Sequence, residues 1–327
     1  MLKLVCKVTI GTLVFDFVNS VEINSSWKDL TSTAVIKLPR KVYTIKNDKL
    51  DSLIKRGDKV KIELGYDDLL VEEFTGYVTS VKPTYPIEIT CDDAMYLYKE
   101  MPVNPKNFPG NSSIKDVFDY LGIKENDYEA IGGSASNISL GGLFAITNDE
   151  GTIAKVFEKL EKASAILNIY IRNGKLMVGK QYDPEKKIAD HIFVIGKNVV
   201  SSNLTFRKKE EILLDVTAIS KNRNGKQISV HAGDYTGDKR TLNYDDLTEK
   251  QLLEQANAEV DKLKYTGYTG DFTAFGIPSV QHGDIVNLID LENKEREGTL
   301  YVDVVQKTFG TGGYRQKITL GKVADIK

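Results

Sequence analysis

Alternation of apolar and polar residues at period two dominates both ends of the chain, and helical periodicity appears only in shorter stretches between and within them. The clearest strand signal is Gly283-Asp284-Ile285-Val286-Asn287-Leu288. Gly57-Asp58-Lys59-Val60-Lys61-Ile62 repeats it 226 positions earlier. In each copy a Gly-Asp turn opens an alternating strand, with Val60, Ile62 and Leu64 in one and Val286 and Leu288 in the other. A polar turn follows, then a strand entered through a glycine: Gly76 within Phe74 to Val81, and Gly298 within Glu297 to Val305. A third strand closes each unit, Pro86 to Cys91 and Tyr314 to Leu320. One Gly-Asp-x-Val means little, because it is common at hairpins. Three matched strands in the same order predict a duplicated antiparallel module, two units rather than one large sheet, whose turn positions are Gly57, Asp58, Gly76, Gly283, Asp284 and Gly298.

The rest of the first hundred residues also reads as strand, over Leu2 to Ile10, Leu13 to Ile23 and Ser32 to Leu38, with turns at Gly11 and Asn24-Ser25-Ser26. Many short strands at this spacing predict a small barrel or sandwich. Pro102, Pro105 and Pro109 then mark a linker. Beyond it, Ser112 or Ser113 caps a helix carrying Ile114, Val117, Phe118 and Leu121, and Gly122 ends it. After a glycine- and serine-rich loop over 131–142, a second helix begins at Asp149 to Thr152 and aligns Ile153, Val156, Phe157, Leu160 and Leu167. Asn173-Gly174 joins Leu167–Ile171 to Leu176–Gly179 in a hairpin, since a type I′ turn needs two residues that tolerate positive φ. From Ile192 strands return: Ile192 to Ile195, Val199 to Arg207, Ile212 to Asn222, and Lys226 to Ala232 across Asn224-Gly225. A helix from Thr248, with Thr248 and Gln251 as capping box and Leu252, Ala256, Val260 and Leu263 as apolar stripe, precedes a strand from Tyr265 to Phe275. The turn Gly276-Ile277-Pro278 leads into the second Gly-Asp module.

Composition changes the picture mainly by exclusion. At 327 residues, 41% of them hydrophobic and 28% charged, the chain is long enough for two or three domains with cores of their own. A net charge of −2 argues against a protein that binds nucleic acid stably through phosphate contacts. Lysines thread the apolar residues of Leu2 to Val8, which therefore reads as a first strand and not as a secretory signal. No apolar run reaches the ~18 residues of a membrane helix, so no membrane insertion is expected. Synthesis in a reducing cytoplasm fits Cys6 and Cys91 as buried free thiols.

Candidate chemistry is sparse. His191, His231 and His282 are far apart and lack metal-ligand spacing, which makes them turn or surface residues and leaves no metal, cofactor or catalytic set to name. The acidic pairs Asp67-Asp68, Asp92-Asp93 and Asp245-Asp246 suit turns and caps. The loop Ile131-Gly132-Gly133-Ser134-Ala135-Ser136, with Gly141-Gly142 after it, lacks the Gly-Lys-Ser/Thr ending of a phosphate loop. Lys221 to Lys226 is a basic hairpin tip. Tyr265, Tyr268, Phe272 and Phe275 sit at strand spacing, as a packed face does.

Taken in order, these features resemble the hub proteins of phage tails and contractile injection machines, the family of late control protein D and of the N-terminal part of type VI secretion spike proteins. The likeness is densest from Val199 to Gly321. Val216 to Ser220, the helix Thr248 to Lys264, Gly276-Ile277-Pro278, Gly283 to Val286, Glu297 to Val302 and Gly312 to Leu320 carry it, and Ile153 to Gly179 looks like the family's middle domain. The resemblance implies a mainly β fold with α+β insertions. Two tube-type β-barrel domains, 1–100 and 191–327 with a helix inserted at about 248–264, would flank a small α+β domain at 101–190. It implies no enzymatic activity. It also implies a homotrimer of pseudo-sixfold symmetry that lines a channel, with the tail tube protein, a separate spike protein and the tape measure protein as partners in a baseplate. A tail-borne cell-wall hydrolase and a carbohydrate-binding β-protein are the alternatives, the first needing converging acidic residues and the second a concave aromatic face.

Overall fold

The computed structural model describes residues 3–39, 50–133, 138, 140, 143–163, 167–183, 185–186, 188–221, 226–245 and 247–324. Its first part folds from β1 (Leu4–Ile10), β2 (Leu13–Phe15), β3 (Ser20–Ser26), β4 (Thr33–Leu38), α1 (Leu50–Leu53), β5 (Lys59–Tyr66), β6 (Leu69–Lys82) and β7 (Ile87–Asp92). Alternation decides which side each strand buries: β4 and β7 hide every second residue, among them Ala34, Ile36, Ile89 and Cys91. Those residues meet Val8, Val60, Ile62 and Val78 in one core. Leu13 to Ile23 is not a single strand. The chain turns between Phe15 and Ser20 to carry β3 away from the β1–β2 hairpin, and Phe15 and Val21, an even number of positions apart, keep the same parity across the break because both pack on that core, with Val18 against it from within the turn. Nor do Asn24, Ser25 and Ser26 turn; they end β3, opposite Gln306, Val305 and Val304.

The middle part begins with α2 (Met95–Glu100), a single turn and a half that the sequence pattern did not reveal. It continues through β8 (Lys106–Phe108), α3 (Ile114–Tyr120), β9 (Tyr128–Ile131), β10 (Phe144–Ile146), α4 (Ile153–Ala163), β11 (Asn168–Arg172) and β12 (Lys175–Gly179). Ser113 caps α3 in a reciprocal box with Asp116, which satisfies helix N–H groups that otherwise lack partners. Val117 and Phe118 of α3 and Val156, Phe157 and Leu160 of α4 share a core with Ile169 and Val178. Leu167 joins this core from beyond the end of α4. Asn173 (φ 52°) and Gly174 (φ 71°) turn β11 into β12 as the Asn-Gly pair predicts.

The last part contains β13 (His191–Val194), β14 (Val199–Arg207), β15 (Leu214–Lys221), β16 (Gln227–Gly233), β17 (Asp238–Asp245), α5 (Glu249–Leu263), β18 (Gly267–Phe275), β19 (Ile285–Ile289), β20 (Gly298–Gly310) and β21 (Gly313–Val323). The Thr248–Gln251 capping box opens α5, and Leu252 and Ala256 pack on Leu214, Val216 and Ala218 of a separate sheet, ordered β16-β15-β17. The Asn224-Gly225 turn, Ser134 to Ser136, Gly141-Gly142 and Asp246 lie outside the described residues.

One hydrogen-bonded sheet of thirteen strands runs through both ends of the chain, in the order β14-β18-β21-β20-β3-β4-β7-β6-β5-β1-β2, with β19 and β13 alongside β20. Two antiparallel units are present, each with its own core, but they are not separate sheets. β20 pairs with β19 only as far as Tyr301; from Val304 to Gly310 it runs antiparallel to β3 instead. The fold is therefore mainly β with α+β insertions.

Candidate functional site

The two Gly-Asp turns are built from the same bonds. Gly57 (φ +88°) and Gly283 (φ +80°) occupy the left-handed region that favours glycine. Gly57 donates its N–H to Val78 O at 2.8 Å and Val78 donates back to Asp58 O at 2.9 Å. Gly283 and Val302 repeat the pair, with Asp284 O as acceptor, at 2.8 and 2.9 Å. The Asp58 carboxylate accepts the Lys55 N–H at 2.8 Å, and that of Asp284 accepts the Gln281 N–H, also at 2.8 Å. A bulge follows at the same step in each unit, between Val78 and Ser80 against β7 and between Val302 and Val304 against β21. Gly76 stands opposite Val60, whereas Gly298 stands opposite Leu288; the residue facing Val286, and so matching Gly76, is Leu300. At Gly76 a Cβ would fall 2.1 Å from the Asp92 carbonyl oxygen, while at Gly298 nothing lies closer than 3.8 Å.

What surrounds the turns is not repeated. Asp58 is half-exposed, and Asp284 is buried under the middle part of the chain. The Arg172 guanidinium, from the end of β11, pairs with Asp284 Oδ1; Lys186 Nζ lies 3.7 Å from that oxygen and His191 Nε2 lies 3.2 Å from Oδ2. Burial pushes this carboxyl's pKa up, but the His191 contact, the Arg172 charge and the Gln281 N–H outweigh burial and hold it below the usual carboxylate range. His282, beside it, is a turn residue but not a surface one: it is 3% exposed, and its ring packs 5.2 Å from that of Tyr170. Burial, then the Arg172 charge, lowers its pKa to about 4. The equivalent residue of the first turn is Arg56, which reaches out to Glu100.

Two further polar knots tie the parts together, and neither was marked as a site by the sequence. Asp303 accepts hydrogen bonds from Trp27 Nε1 (2.9 Å), Gln181 Nε2 (3.4 Å) and the Tyr182 hydroxyl, and pairs with Lys28 at 2.7 Å. Standing in the last part, it thus collects partners from both of the others. Glu73 of β6 accepts from Lys307, from the Tyr314 hydroxyl and from Ser279 Oγ at 2.9 Å, with the side chains of Glu73 and Lys307 0% and 4% exposed. The only hints were a charge set into the apolar run Val302-Asp303-Val304-Val305 and a lysine two residues beyond it. Next to the second knot a cavity of about 80 Å³ is bounded by Glu73, Asp93, Arg172, His282 and Lys307.

The remaining candidates are structural. Asp67 exchanges backbone and carboxylate bonds with Lys3 (2.7 and 2.8 Å), and Asp93 accepts the N–H groups of Ser32 and Met95 at 2.6 and 2.9 Å. His231 lies 2.6 Å from Asp215 and stacks on Tyr235. Tyr268 and Phe272 are buried, and Phe275 lies under the Arg315 guanidinium. Cys6 and Cys91 are buried free thiols, pushed up to about 11 and about 12 chiefly by burial. Among the described residues no group of three His, Cys, Asp or Glu side chains could hold a metal ion, and no helix is long and apolar enough to cross a membrane.

No family model and no curated protein sequence matches the chain. Solved structures do. The 43 kDa tail protein of prophage MuSo2 from Shewanella oneidensis is 15% identical, with a TM-score of 0.66 over 99% of this chain and 100% of that one. A tail protein from Neisseria meningitidis MC58 is 14% identical, with a TM-score of 0.67 over 98% and 97%. The E. coli c3393 protein is a type VI secretion system component that exhibits structural similarity to the bacteriophage T4 tail proteins gp27 and gp5. It matches at 8% identity and a TM-score of 0.56, over 97% of this chain and 77% of its own. The duplicated strands, the middle α+β part and the shared sheet are thus the fold of phage tail proteins and of a type VI secretion component.

Proposed function

We propose that the chain is the baseplate hub of a phage tail or contractile injection system, a structural protein without enzymatic activity. Three copies form a ring that meets the hexameric tail tube on one side and the trimeric spike on the other, and that lines the channel between them. The duplication carries this reading: two units that share turn bonds and a bulge can offer near-equivalent surfaces, so three chains present six contacts to the tube and three to the spike. The domain layout goes with it, barrels at 1–100 and 191–327 flanking an α+β domain at 101–190, with the six turn glycines and aspartates as structural positions. In that layout the middle domain acts as a brace, since Arg172, Lys186, Gln181 and Tyr182 all reach into the second unit. Permanent rings of this type bury about 2,000 Å² or more per interface. The tube protein, a separate spike and the tape measure protein are the partners. The near-neutral chain suits a channel that passes DNA without holding it.

Light scattering over a concentration series, with negative-stain imaging of the largest species, tests the ring. A mass three times the 36.5 kDa of one chain, and a ring with an open centre, is the expected result. A chain that stays monomeric at every concentration, and also with the tube and spike proteins of the same particle, overturns the proposal.

A further inference from the structure

The two units correspond strand by strand. β5, β6, β7, β4 and β3 of the first match β19, β20, β21, β18 and β14 of the second, in pairing partners and in direction. The chain joins its own units through two of these elements, since β20 of the second runs antiparallel to β3 of the first, Val304 opposite Ser26 and Gln306 opposite Asn24. The counterparts of those joined edges are both spare. Among the described residues β14 pairs only with β18, and β6 pairs with β5 no farther than Tyr77, so that its carboxy-terminal end faces β7 alone. Every chain therefore presents, at two distant places in its sheet, the same pair of edges that it has already joined once.

We propose that copies of this chain join through these edges, the end of β6 in one copy pairing antiparallel with β14 in the next. The register follows from the internal junction. Val302 matches Val78 through the turn bonds, so Val304, Val305 and Gln306 match Ser80, Val81 and Lys82. On the other edge Ser26, Ser25 and Asn24 match Arg207, Phe206 and Thr205, because Val21 faces Ile36 as Ser202 faces Phe272. Ser80 then lies opposite Arg207, Val81 opposite Phe206 and Lys82 opposite Thr205. Side-chain exposure agrees with this alignment: Val81 and Phe206 are half-buried, and the four flanking residues are exposed. Pro83 has no N–H to add and stops the ladder after Lys82. A second copy is the occupant because the contact is heterologous and repeats a junction found within the chain; an unrelated peptide would have no reason to share its register. Joining the edges also removes the hazard of leaving them open. Closure after three copies rests on the hub reading, but the strand pairing itself does not.

Cysteine pairs test the register. Directly opposed residues of antiparallel strands bring Cα atoms about 4.5–5.5 Å apart, within reach of a disulfide. Within one chain the two sites are separated by six intervening strands, so a link can form only between copies. In the full chain, Lys82→Cys with Thr205→Cys, and separately Ser80→Cys with Arg207→Cys, are oxidised at high protein concentration. Both are expected to give a covalent ladder on non-reducing gels that ends at three chains, while Lys82→Cys with Ser201→Cys, four residues out of register, gives at least tenfold less. A trimer by mass that neither matched pair can link overturns the strand pairing and leaves the hub standing. Ladders that run on into long polymers keep the pairing and overturn the closed ring. The absence of any oligomer at any concentration, also with the tube and spike proteins of the same particle, overturns both.

Discussion

The turns at Gly57-Asp58 and Gly283-Asp284 have the same backbone and different neighbours. Both use a left-handed glycine, the same pair of strand bonds and the same carboxylate cap. One is half-exposed with Arg56 reaching outward; the other lies under the middle part of the chain with Arg172 and His191 against its carboxylate and His282 sealed beside it. Local bonds therefore define the module, and burial turns one copy of it into a junction. A carboxylate that only caps an N–H is worth about 1 kcal/mol, whereas one that also neutralises a buried cation cannot be removed without orphaning that cation.

The largest effect should come from the junction side. Lys307→Ala leaves Glu73 buried without its cation, and is expected to cost about 3–5 kcal/mol in chemical denaturation. A loss under 1 kcal/mol would mean that water already reaches the pair. Asp284→Ala should cost about 3 kcal/mol or more and Asp58→Ala about 1 kcal/mol, so equal losses would erase the distinction between the turns.

The pH response should divide in the same way. The His282 pKa is lowered from 6.5 to about 4, so between these values the unfolded chain binds a proton that the folded chain refuses. Its contribution is complete above about pH 6.5 and is lost as pH falls towards 4, a difference of about 3 kcal/mol. His282→Asn should remove that difference when its denaturation curve is compared with wild type at pH 7 and pH 4.5. Arg56→Asn, at the matching position of the first turn, should leave the pH profile unchanged.

The smallest contrast is between the strand glycines. Gly76→Ala pushes a methyl into the Asp92 carbonyl and should cost about 1–3 kcal/mol, while Gly298→Ala, whose methyl would meet only Leu300 at an ordinary contact distance, should stay within about 0.5 kcal/mol. Thermal melts of the two variants measure it, and a similar shift in both would show that the β6 backbone yields.

Much of the fold was legible. The Ser113 and Thr248 caps, the Asn173-Gly174 hairpin and the alternating strands are local, since each is decided by residues within one turn or one strand. α2 escaped because six residues are too few to display a helical period, and β17 because its polar Asp238 to Asp245 is held by parallel pairing to β15 and not by an apolar face. The junction escaped for a different reason. Asp303 meets Trp27 across 276 positions and Glu73 meets Lys307 across 234, and nothing in a local pattern says which distant charge will be answered.

By itself, then, the sequence determined the strands, the caps and the existence of a repeated unit, because side-chain period and turn chemistry act over a few residues. Only the tertiary structure decided that the two units share one sheet through β20 and β3, that one Gly-Asp turn is a buried junction and the other is free, and which edges remain open. Those outcomes depend on pairing and desolvation between segments hundreds of residues apart, and such contacts leave no local trace.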